Sequence, residues 1–360
     1  MNLNRKKRVL VAMSGGVDSS VAAALLVEQG YEVVGATMQV WDYSQCDIEE
    51  GHGTCCSSTD VDDARSVADR LDIPFYVINC EEKFKKEVID PFIQSYLEGK
   101  TPLPCVNCNT FLKFDHLVKK MKELDCDYLA TGHYAQVLPN AWNELAIFTS
   151  SDNWKDQTYF LFTLQKSLLP HLLFPIGHLN KSEVRILADQ KGLSVAKKRD
   201  STGICFVGDK GYSKFVQEQV TPNQIKSGEI RRYPDGEVMG HHSGIYQFTL
   251  GQSKGLGMSF HEKLFVIRLD PESNTVWVGE EKYLFHSELQ LTNVNWLTDW
   301  TEGEMLRVKI RYHHSGSIAH ISKNGLEYKL SFLEPQRAIT PGQAAVFYRD
   351  RELVGGGWIL

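Results

Sequence analysis

The sequence predicts a doubly wound parallel α/β sheet at the N-terminus, followed by a small mostly β linker domain and a C-terminal β-barrel. Two observations lead to this fold class. Up to about residue 208, short apolar runs alternate with helix-like patterns, which is typical of βαβ units. Beyond that point, short runs of alternating polarity separated by turn residues indicate β structure. The expected domain boundaries are therefore 1–208, 209–284 and 285–360.

The first domain is expected to contain alternating strands and helices. The apolar runs predict strands at 8–12, 32–38, 75–79 and 128–131. The helical patterns predict helices at 19–29, 59–71, 81–97 and 110–124. In a sheet of this kind, ligands bind beyond the carboxyl ends of the strands, so the segment after the first strand is a candidate binding site.

The second and third domains are predicted from turn signals and alternation. Turn residues cluster at 234–236, 241–244 and 251–257, which indicates short strands in a small domain. Alternating polar and apolar residues at 307–312 and 345–348 predict the strands of a barrel. No internal repeat or low-complexity tract interrupts this pattern.

The composition is that of an ordinary globular protein, with 42% hydrophobic and 23% charged residues among 360. A net charge of −6 argues against indiscriminate coating of nucleic acid, although basic clusters occur at 197–199, 231–232 and 307–330. The apolar run after the basic residues 5–8 is too short for a signal peptide, and 21–27 is too short for a membrane span. We therefore expect a cytoplasmic protein.

A glycine-rich turn at residues 13–20 lies between the first strand and the first helix. Gly15 and Gly16 let backbone N–H groups approach an anion, and a helix N-terminus favours negative charge. Asp18 would repel phosphates unless a cation intervened, so the pattern predicts a magnesium nucleotide with Asp18 near the metal. It is neither a Walker loop nor a GxGxxG motif. The structural alternative is a tight turn in which Asp18 only caps the helix.

The eight cysteines of this chain divide by their surroundings. Cys46, Cys80 and Cys126 are expected to be inert, and adjacent Cys55 and Cys56 are left unassigned. Three others lie in stretches rich in Pro, Asn and Gly, namely Cys105 and Cys108 in a loop before a helix, and Cys205. A structural zinc site would need a fourth ligand, and a thioredoxin-like pair lacks its usual context. Sulfur chemistry and an iron–sulfur cluster remain open.

Several motifs occur together in the order found in one enzyme family. They are SGGVDSS at 14–20, TPLPCVNCN at 101–109, TGHY at 131–134, KDQTYFL at 155–161 and KRDSTGICF at 198–206. The C-terminal half adds YQFTLGQ at 246–252, RY at 311–312 and TPGQAAVFY at 340–348. Over nearly its whole length, the chain resembles the tRNA-specific 2-thiouridylases, which are ATPases with a pyrophosphatase loop.

The resemblance implies that ATP adenylates the C2 oxygen of the wobble uridine and that sulfur then displaces AMP. It implies that Cys205 carries a persulfide, which Cys108 releases by forming a transient disulfide with it. It assigns ATP and magnesium to Ala12, Met13, Ser14, Gly15, Gly16, Val17, Asp18, Ser19, Met38 and Gly132. It assigns tRNA contacts to Leu103, Pro104, Cys105, His133, Lys155, Asp156, Gln157, Arg311, Tyr312 and Gln343. It also implies a sulfur donor, either a cysteine desulfurase, a sulfur-relay protein or free sulfide.

One departure from the family pattern leaves the mechanism open. The family pattern has Asp where this chain has Cys105, and Asn where it has Leu103. Cys105, Cys108 and Cys205 could instead ligate an iron–sulfur cluster that binds hydrosulfide. Two other functions use the same loop: an amidating synthetase, and a non-catalytic tRNA-binding sulfur carrier. The first does not explain the cysteines, and intact Ser14, Asp18 and Ser19 argue against the second.

Overall fold

The computed structural model describes residues 5–40, 58–200, 203–256, 262–325 and 327–360, which form two compact units. Unit 1 comprises Met1–Val88, Cys105–Asp209 and Arg351–Leu353. Unit 2 comprises Ile89–Pro104, Lys210–Asp350 and Val354–Leu360. Cys46, Cys55, Cys56, Ser201, Thr202 and the end of the turn at residue 257 lie outside the described residues.

The central sheet of unit 1 is parallel, as the sequence predicts. Its strands are β1 (Arg8–Ala12), β2 (Glu32–Gln39), β3 (Phe75–Asn79), β4 (Tyr128–Thr131) and β7 (Leu172–Leu173). They pair in the order β3-β2-β1-β4-β7, and every pairing is parallel. The chain winds outward from β1 in both directions, so the switch point lies at the carboxyl end of β1. The doubly wound fold class is therefore confirmed.

Helices cover this sheet because each has a small or apolar face to bury. The helix α1 (Val17–Glu28) carries a run of buried alanines, and α2 (Ser58–Arg70) packs against the same sheet. The helix α7 (Lys181–Gln190) packs on α1 through Val184 and Ala188, which are fully buried. An antiparallel hairpin of β5 (Ala135–Pro139) and β6 (Leu145–Thr149) follows β4, and Glu352 and Leu353 pair with β6.

Two helical runs contain wide π-helical turns. The predicted helix at 81–97 is observed as α3 (Glu81–Phe84), a π-helical segment (Lys85–Ile89) and α4 (Asp90–Leu97). The second run joins α5 (Pro104–Asn107), a π-helical segment (Cys108–His116) and α6 (Leu117–Glu123). The prediction that Cys105 and Cys108 lie in a loop before this helix is wrong. Pro104 begins the helix, a position that suits proline because its missing N–H needs no partner there.

Unit 2 contains a small sheet and a larger barrel. The small sheet orders as β10-β11-β8-β9, with β8 (Gly228–Arg232), β9 (Val238–His242), β10 (Phe265–Asp270) and β11 (Thr275–Gly279). The helices α4 and α8 (Tyr212–Gln219) contact each other, and Tyr96 stacks on Tyr212 with ring centroids 4.4 Å apart. The predicted mostly β character of this region is confirmed.

The C-terminal strands close into a barrel. They are β12 (Phe285–Trp296), β13 (Met305–Lys309), β14 (Ser317–Asn324), β15 (Glu327–Arg337), β16 (Ala344–Arg349) and β17 (Glu352–Ile359). The order is β12-β15-β14-β13-β16-β17, and β12 also pairs antiparallel with β17, which removes the free edges. Leu291, Val308, Ile321, Leu330 and Phe347 are fully buried inside it. Among the described residues, no helix is long and apolar enough to span a bilayer.

Candidate active site

The glycine-rich turn lies at the switch point of the sheet and is held by its own hydroxyls. Gly15 has a φ of +71°, and a Cβ there would lie 2.1 Å from the carbonyl oxygen of Asp60, so only glycine fits. The Ser14 backbone N–H donates to Ser19 Oγ (3.1 Å), and the Ser20 hydroxyl donates to the Gly16 carbonyl (2.8 Å). Gly16 is the N-cap of α1 without a side-chain cap. Asp18 lies inside the helix, so the capping alternative for it is wrong.

The end of β4 closely approaches this turn. A Cβ on Gly132 would lie 2.6 Å from the Ser19 backbone nitrogen and 2.8 Å from the Asp18 carbonyl carbon. Met13 is buried and continues the β1 pairing by donating its N–H to the Ala36 carbonyl (2.8 Å). Met38 is buried near the carboxyl end of β2. The structure therefore brings the predicted nucleotide residues of three neighbouring strands to one edge of the sheet.

Asp18 is held by a lysine and a tyrosine that the sequence did not identify. Lys181 Nζ lies 2.8 Å from both carboxylate oxygens of Asp18, and the Tyr134 hydroxyl donates to Oδ1 at 2.8 Å. Burial and the neighbouring Asp18 carboxylate raise the pKa of Tyr134, so its hydroxyl stays a hydrogen-bond donor. The loop thus has its negative charge neutralised by a cation of the protein itself.

Lys181 also pairs with a second carboxylate, that of Asp200, and so bridges Asp18 and Asp200. Lys181 Nζ lies 2.9 Å from Asp200 Oδ1, and the same carboxylate accepts from Lys155 (2.6 Å) and Arg185 (2.7 Å). Although burial opposes ionisation of Asp200, hydrogen bonds from Lys155 and Lys181 lower its pKa to about 2. Asp200 therefore remains ionised at neutral pH and gathers three cations.

Lys198 belongs to one of the basic clusters but points into the fold. Its Nζ donates to the Gly15 carbonyl (3.0 Å) and to the carboxylates of Asp60 and Asp63 (2.5 Å each). Burial opposes its charge, but these carboxylates raise the pKa of Lys198. Arg231 and Arg232 likewise pair with Glu229 and Glu262. At these positions, the basic clusters form ion pairs within the protein.

The segments that carry Cys108 and Cys205 contact the same helical run. Asn107, which precedes Cys108, donates its side-chain amide to the Glu87 carbonyl (3.1 Å), and Lys83 bonds Asp115 in the following π-helical segment (2.8 Å). Phe206, which follows Cys205, packs edge-on against Phe84 with ring centroids 5.7 Å apart. The first helix of that run, α3, therefore has contacts to both thiol-bearing segments.

The thiols differ in exposure and acidity. Cys105 is exposed, Cys108 and Cys205 are half-buried, and Cys80 and Cys126 are buried. Burial, with a smaller contribution from nearby Cys108, raises the pKa of Cys80 to about 11, and burial also raises that of Cys126. Within the described residues, no group of three or more His, Cys, Asp or Glu side chains is arranged to hold a metal ion. Cys105, Cys108 and Cys205 do not form such a group within the described residues.

Four candidate tRNA residues of unit 1 already contact other groups of the protein. His133 is buried, its Nδ1 lies 2.7 Å from Thr131 Oγ1, and desolvation, reinforced by Lys113, holds its pKa well below the usual value. Asp156 is buried and accepts from the Ser150 N–H and the Thr158 hydroxyl. Gln157 accepts from the Tyr134 N–H (2.9 Å), and Lys155 binds Asp200. These contacts position the ends of β4 and β6 around the loop.

The other candidate tRNA residues belong to unit 2. Leu103 and Pro104 are at the end of its first segment, and Arg311, Tyr312 and Gln343 are in the region of the barrel strands. Leu103 is half-buried, and Pro104 is buried. Gln343 donates its side-chain amide to the Thr101 carbonyl (3.0 Å). Arg311 is exposed and donates to the Arg337 carbonyl (3.2 Å), and the Tyr312 ring lies 4.4 Å from that of His313. Arg311 thus presents a positive charge on the barrel surface.

Sequence reasoning assigned no role to Lys181, Tyr134, Asp200, Arg185 and Asp152, although Tyr134 and Asp200 lie in two of the quoted motifs. One local signal was available: Asn180 and Glu183 form a capping box, which marks Lys181 as the first residue of a helix. The Lys181 N–H donates to Asp152 Oδ2 (3.0 Å), and Asp152 Oδ1 accepts from the Lys155 N–H (3.2 Å). Asp152 therefore fixes both lysines that reach Asp200. Their partners are distant in sequence, so the pattern alone could not pair them.

Family models match three successive parts of the chain. They are described as a tRNA methyl transferase HUP domain (residues 7–209), a tRNA methyl transferase PRC-barrel domain (213–280) and an aminomethyltransferase beta-barrel domain (286–359). Among solved structures, a 4-thiouridine synthetase–RNA complex with bound ATP is 14% identical, with a TM-score of 0.34 over 61% of this chain and 51% of that chain.

Full-length relatives are much more similar. The tRNA-specific 2-thiouridylase MnmA of Geotalea uraniireducens is 47% identical over 99% of this chain and 96% of its own length. The enzymes of the same name from Clostridium perfringens and Rickettsia bellii are each 46% identical, over 98% and 99% of this chain and 98% and 97% of their own lengths. Identity at this level over nearly the entire chain shows that the protein belongs to the tRNA-specific 2-thiouridylase family.

Proposed function

We propose that this tRNA-specific 2-thiouridylase uses ATP to activate the C2 oxygen of the wobble uridine and then replaces that oxygen with sulfur. The observation that carries the proposal is the arrangement of unit 1. A pyrophosphatase loop lies at the carboxyl end of β1, and the Cys108 and Cys205 segments both contact the helix α3. Thiolation needs both an activating site and a sulfur nucleophile, and one unit carries residues suited to each.

In the first step, the uridine C2 oxygen attacks the α-phosphorus of ATP. An oxygen–phosphorus bond forms, the bond from the α-phosphorus to the bridging oxygen breaks, and pyrophosphate leaves. The backbone of the loop and its serines suit a pyrophosphate group, because N–H groups at a helix N-terminus bind anions. The residues proposed to bind ATP are Ala12, Met13, Ser14, Gly15, Gly16, Val17, Asp18, Ser19, Met38 and Gly132.

Magnesium fits the chemistry of this loop. Asp18 supplies one hard carboxylate oxygen, and phosphate oxygens of ATP supply further ligands of the kind that Mg²⁺ prefers. Asp18 would hold the ion once Lys181 no longer occupies its carboxylate. When bound, magnesium would neutralise charge on the polyphosphate.

In the second step, a persulfide on Cys205 attacks C2 of the adenylated uridine. A carbon–sulfur bond forms and AMP leaves, so that the uridine is joined to Cys205 through two sulfur atoms. The Cys108 thiolate then attacks Cys205 Sγ, which releases thiolated uridine and leaves a Cys108–Cys205 disulfide. A dithiol reductant restores both thiols. A donor of sulfane sulfur, such as a desulfurase or relay protein, must reload Cys205.

An iron–sulfur route is not part of the proposed reaction. It would need Cys105, Cys108 and Cys205 to converge on one cluster, whereas the described residues contain no such convergent set. Cys105 is the exposed member of the three and occupies the first turn of α5. We therefore assign the chemistry to Cys108 and Cys205 and leave Cys105 among the residues that face tRNA.

The tRNA is expected to contact both units through separate sets of residues. In unit 1 the proposed set is Cys105, His133, Lys155, Asp156 and Gln157, of which buried Asp156 would act through the segment it positions. In unit 2 the proposed set is Leu103, Pro104, Arg311, Tyr312 and Gln343. The division into 1–208, 209–284 and 285–360 is supported by the ranges of the three family models. A cytoplasmic location remains part of the proposal.

The test separates activation from tRNA binding. Asp18→Asn should abolish tRNA-dependent release of pyrophosphate from ATP, while the dissociation constant for tRNA stays within about twofold of wild type, because Asp18 lies in the nucleotide loop. Asp189→Asn, an equal change of charge at an exposed position of α7, is the matched control and should leave both unchanged. An Asp18→Asn protein that loses tRNA binding and pyrophosphate release equally would contradict the proposal.

The two alternatives give different results in the same assay. An amidating synthetase would incorporate ammonia into the activated substrate and leave tRNA uridine without sulfur, as mass analysis of digested tRNA would show. A non-catalytic sulfur carrier would bind tRNA but release no pyrophosphate. Pyrophosphate release together with sulfur in the uridine supports only the thiolation reaction.

A further inference from the structure

Asp18 and Lys181 form an ion pair at the place where ATP phosphates are expected. Lys181 Nζ is 2.8 Å from each oxygen of Asp18, and the lysine side chain is only 14% exposed. A pyrophosphate group entering this loop meets a carboxylate that repels it and an ammonium group that attracts it. The ammonium group is already engaged by that carboxylate, so the arrangement must change when phosphate binds.

The backbone of Lys181 is fixed while its side chain has a choice of partners. Lys181 is the first residue of α7, where Asn180 accepts from the Glu183 N–H and Glu183 in turn accepts from the Asn180 N–H. Its own N–H is held by Asp152. The long, flexible side chain can therefore move between nearby anions without a change in the helix.

Asp200 keeps Lys181 near the loop without depending on it. Its carboxylate also accepts from Lys155 and Arg185, at 2.6 and 2.7 Å. In this network three cations, Lys155, Lys181 and Arg185, face two carboxylates, Asp18 and Asp200. Asp152, whose carboxylate accepts from the N–H groups of Lys155 and Lys181, is a third carboxylate beside these cations. Because Lys155 and Arg185 also pair with Asp200, Lys181 can leave either carboxylate while Asp200 remains neutralised.

We propose that Lys181 is an exchangeable phosphate ligand, which holds Asp18 in the empty loop and passes to a phosphate oxygen when ATP binds. This inference rests on the proposed function, because it assumes that ATP is the ligand of the loop. Release from Lys181 frees the Asp18 carboxylate. In the absence of a divalent ion, Asp18 and the ATP phosphates then compete for the same ammonium group.

Competition predicts opposite effects of removing the two partners. Lys181→Met removes a charged ligand and should raise the dissociation constant of metal-free ATP at least about tenfold. Asp18→Asn removes the competitor and its repulsion, and should lower that constant at least about threefold. A merely structural ion pair would make both substitutions weaken binding, since either one breaks it.

The experiment is calorimetric titration of the full-length protein with ATP in EDTA at low salt. Wild type, Asp18→Asn, Lys181→Met and Lys181→Arg are compared, and Lys181→Arg should retain most of the affinity. Lys191→Met is the matched control, because Lys191 lies at the other end of α7, is 15% exposed and pairs with Glu28 of α1. It should leave the ATP dissociation constant unchanged. Thermal melting of each variant verifies that it is folded.

Two results would overturn the inference alone: unchanged affinity of Lys181→Met for metal-free ATP, or weakened affinity of Asp18→Asn. If Lys181→Met fails to fold, the Asp18→Asn variant still tests the inference, because its dissociation constant for metal-free ATP must be lower than that of wild type. A wild-type protein that binds ATP neither with nor without magnesium would overturn the proposed function together with the inference. Normal thiolation by wild type alongside unshifted variants would overturn the inference and leave the proposed function standing.

Discussion

At the scale of single residues, burial decides which cysteines can react. Because the thiolate is the nucleophile, a pKa of about 11 leaves roughly one thousandth of Cys80 ionised at pH 8. Cys105 is exposed, whereas Cys126 is buried with a raised pKa. The expectation that Cys80 and Cys126 are inert thus agrees with their surroundings, and Cys46 lies outside the described residues.

We expect iodoacetamide at pH 8 to alkylate Cys80 at least about a hundredfold more slowly than Cys105. The rate at Cys80 should rise with pH until about pH 11, because the thiolate fraction rises over that range. Peptide mass spectrometry of partially labelled protein measures both rates, and urea-unfolded protein serves as the control in which the difference disappears. Equal labelling of Cys80 and Cys105 in folded protein would contradict this assignment.

Cys105 distinguishes the two sulfur mechanisms. If Cys108 and Cys205 act through a persulfide and a disulfide, Cys105→Asp should thiolate tRNA at close to the wild-type rate, even in protein purified without iron. Cys205→Ser should reduce thiolation to background in either mechanism, because it removes the sulfur carrier or a cluster ligand. Thiolation of tRNA in digests, measured by mass spectrometry, follows both variants.

The contradicting result for the Cys105 prediction is specific. Anaerobically purified wild type that contains iron and sulfide, together with a Cys105→Asp variant that loses both and becomes inactive, would replace the persulfide route with a cluster. A Cys205→Ser protein that still thiolates tRNA from ATP and hydrosulfide would remove the role proposed for Cys205.

At the scale of elements, the glycines of the nucleotide site have separable roles. A Cβ at Gly132 would meet backbone atoms of α1 at 2.6 Å, and one at Gly15 would meet the Asp60 backbone at 2.1 Å. Gly16 differs, because its φ of −94° suits any residue and the nearest atom to a Cβ would be Ser14 Oγ at 3.6 Å. Gly16 is thus free of steric demands from the protein itself.

Gly15→Ala and Gly132→Ala should each destabilise the fold by about 1–3 kcal/mol, as expected when a methyl group is forced into a packed site. Gly16→Ala should melt within about 2 °C of wild type but bind ATP more weakly, because its Cβ would stand where phosphate approaches the backbone. Thermal melts and ATP titrations check these effects. If Gly16→Ala binds ATP as wild type does, the backbone at Gly16 does not contact the phosphates.

The elements that sequence reasoning predicted well are those with a strong local pattern. The strands β1, β3 and β4 have the predicted bounds. The apolar runs of β1, β2 and β4 are mostly buried, whereas Tyr76 and Val77 of β3 are exposed. The helix at 104–123 starts earlier than the predicted 110, because Pro104 begins the helix and does not stiffen a preceding loop. The π-helical turns have no signal in hydrophobic periodicity.

The candidate site was predicted only where its motifs are contiguous. Residues 13–20 predict an anion-binding loop without help from any other part of the sequence. The structure places Asp18 in the first turn of the helix that follows the two glycines of this loop. Lys181 lies 163 residues from Asp18 in the chain, and a lysine at a helix start has no pattern that names its partner. The same holds for Asp200, which pairs with Lys155 of one segment and with Lys181 and Arg185 of α7. Ion pairs between residues that are distant in sequence could therefore not be predicted from the sequence alone.

At the scale of the whole molecule, charge is distributed unevenly against a net value of −6. The clusters at 197–199 and 231–232 are at least partly neutralised by Asp60, Asp63, Glu229 and Glu262. The barrel of unit 2 differs, because Arg311 is exposed and donates to a backbone carbonyl, that of Arg337. A polyanion such as tRNA should therefore be attracted locally, not by the protein as a whole.

Arg311→Ala should weaken tRNA binding and reduce its salt dependence, because each phosphate contact that is lost removes roughly 0.7–0.9 units from the slope of log K against log salt. The ATP dissociation constant should not change, since Arg311 belongs to unit 2 and the nucleotide loop to unit 1. Arg268→Ala is the matched control: it removes the same charge from unit 2, but Arg268 pairs with Asp270. Filter binding across a salt series measures both slopes. If the two variants lose equal slope, net charge explains the effect, and if Arg311→Ala loses none, Arg311 does not contact a phosphate.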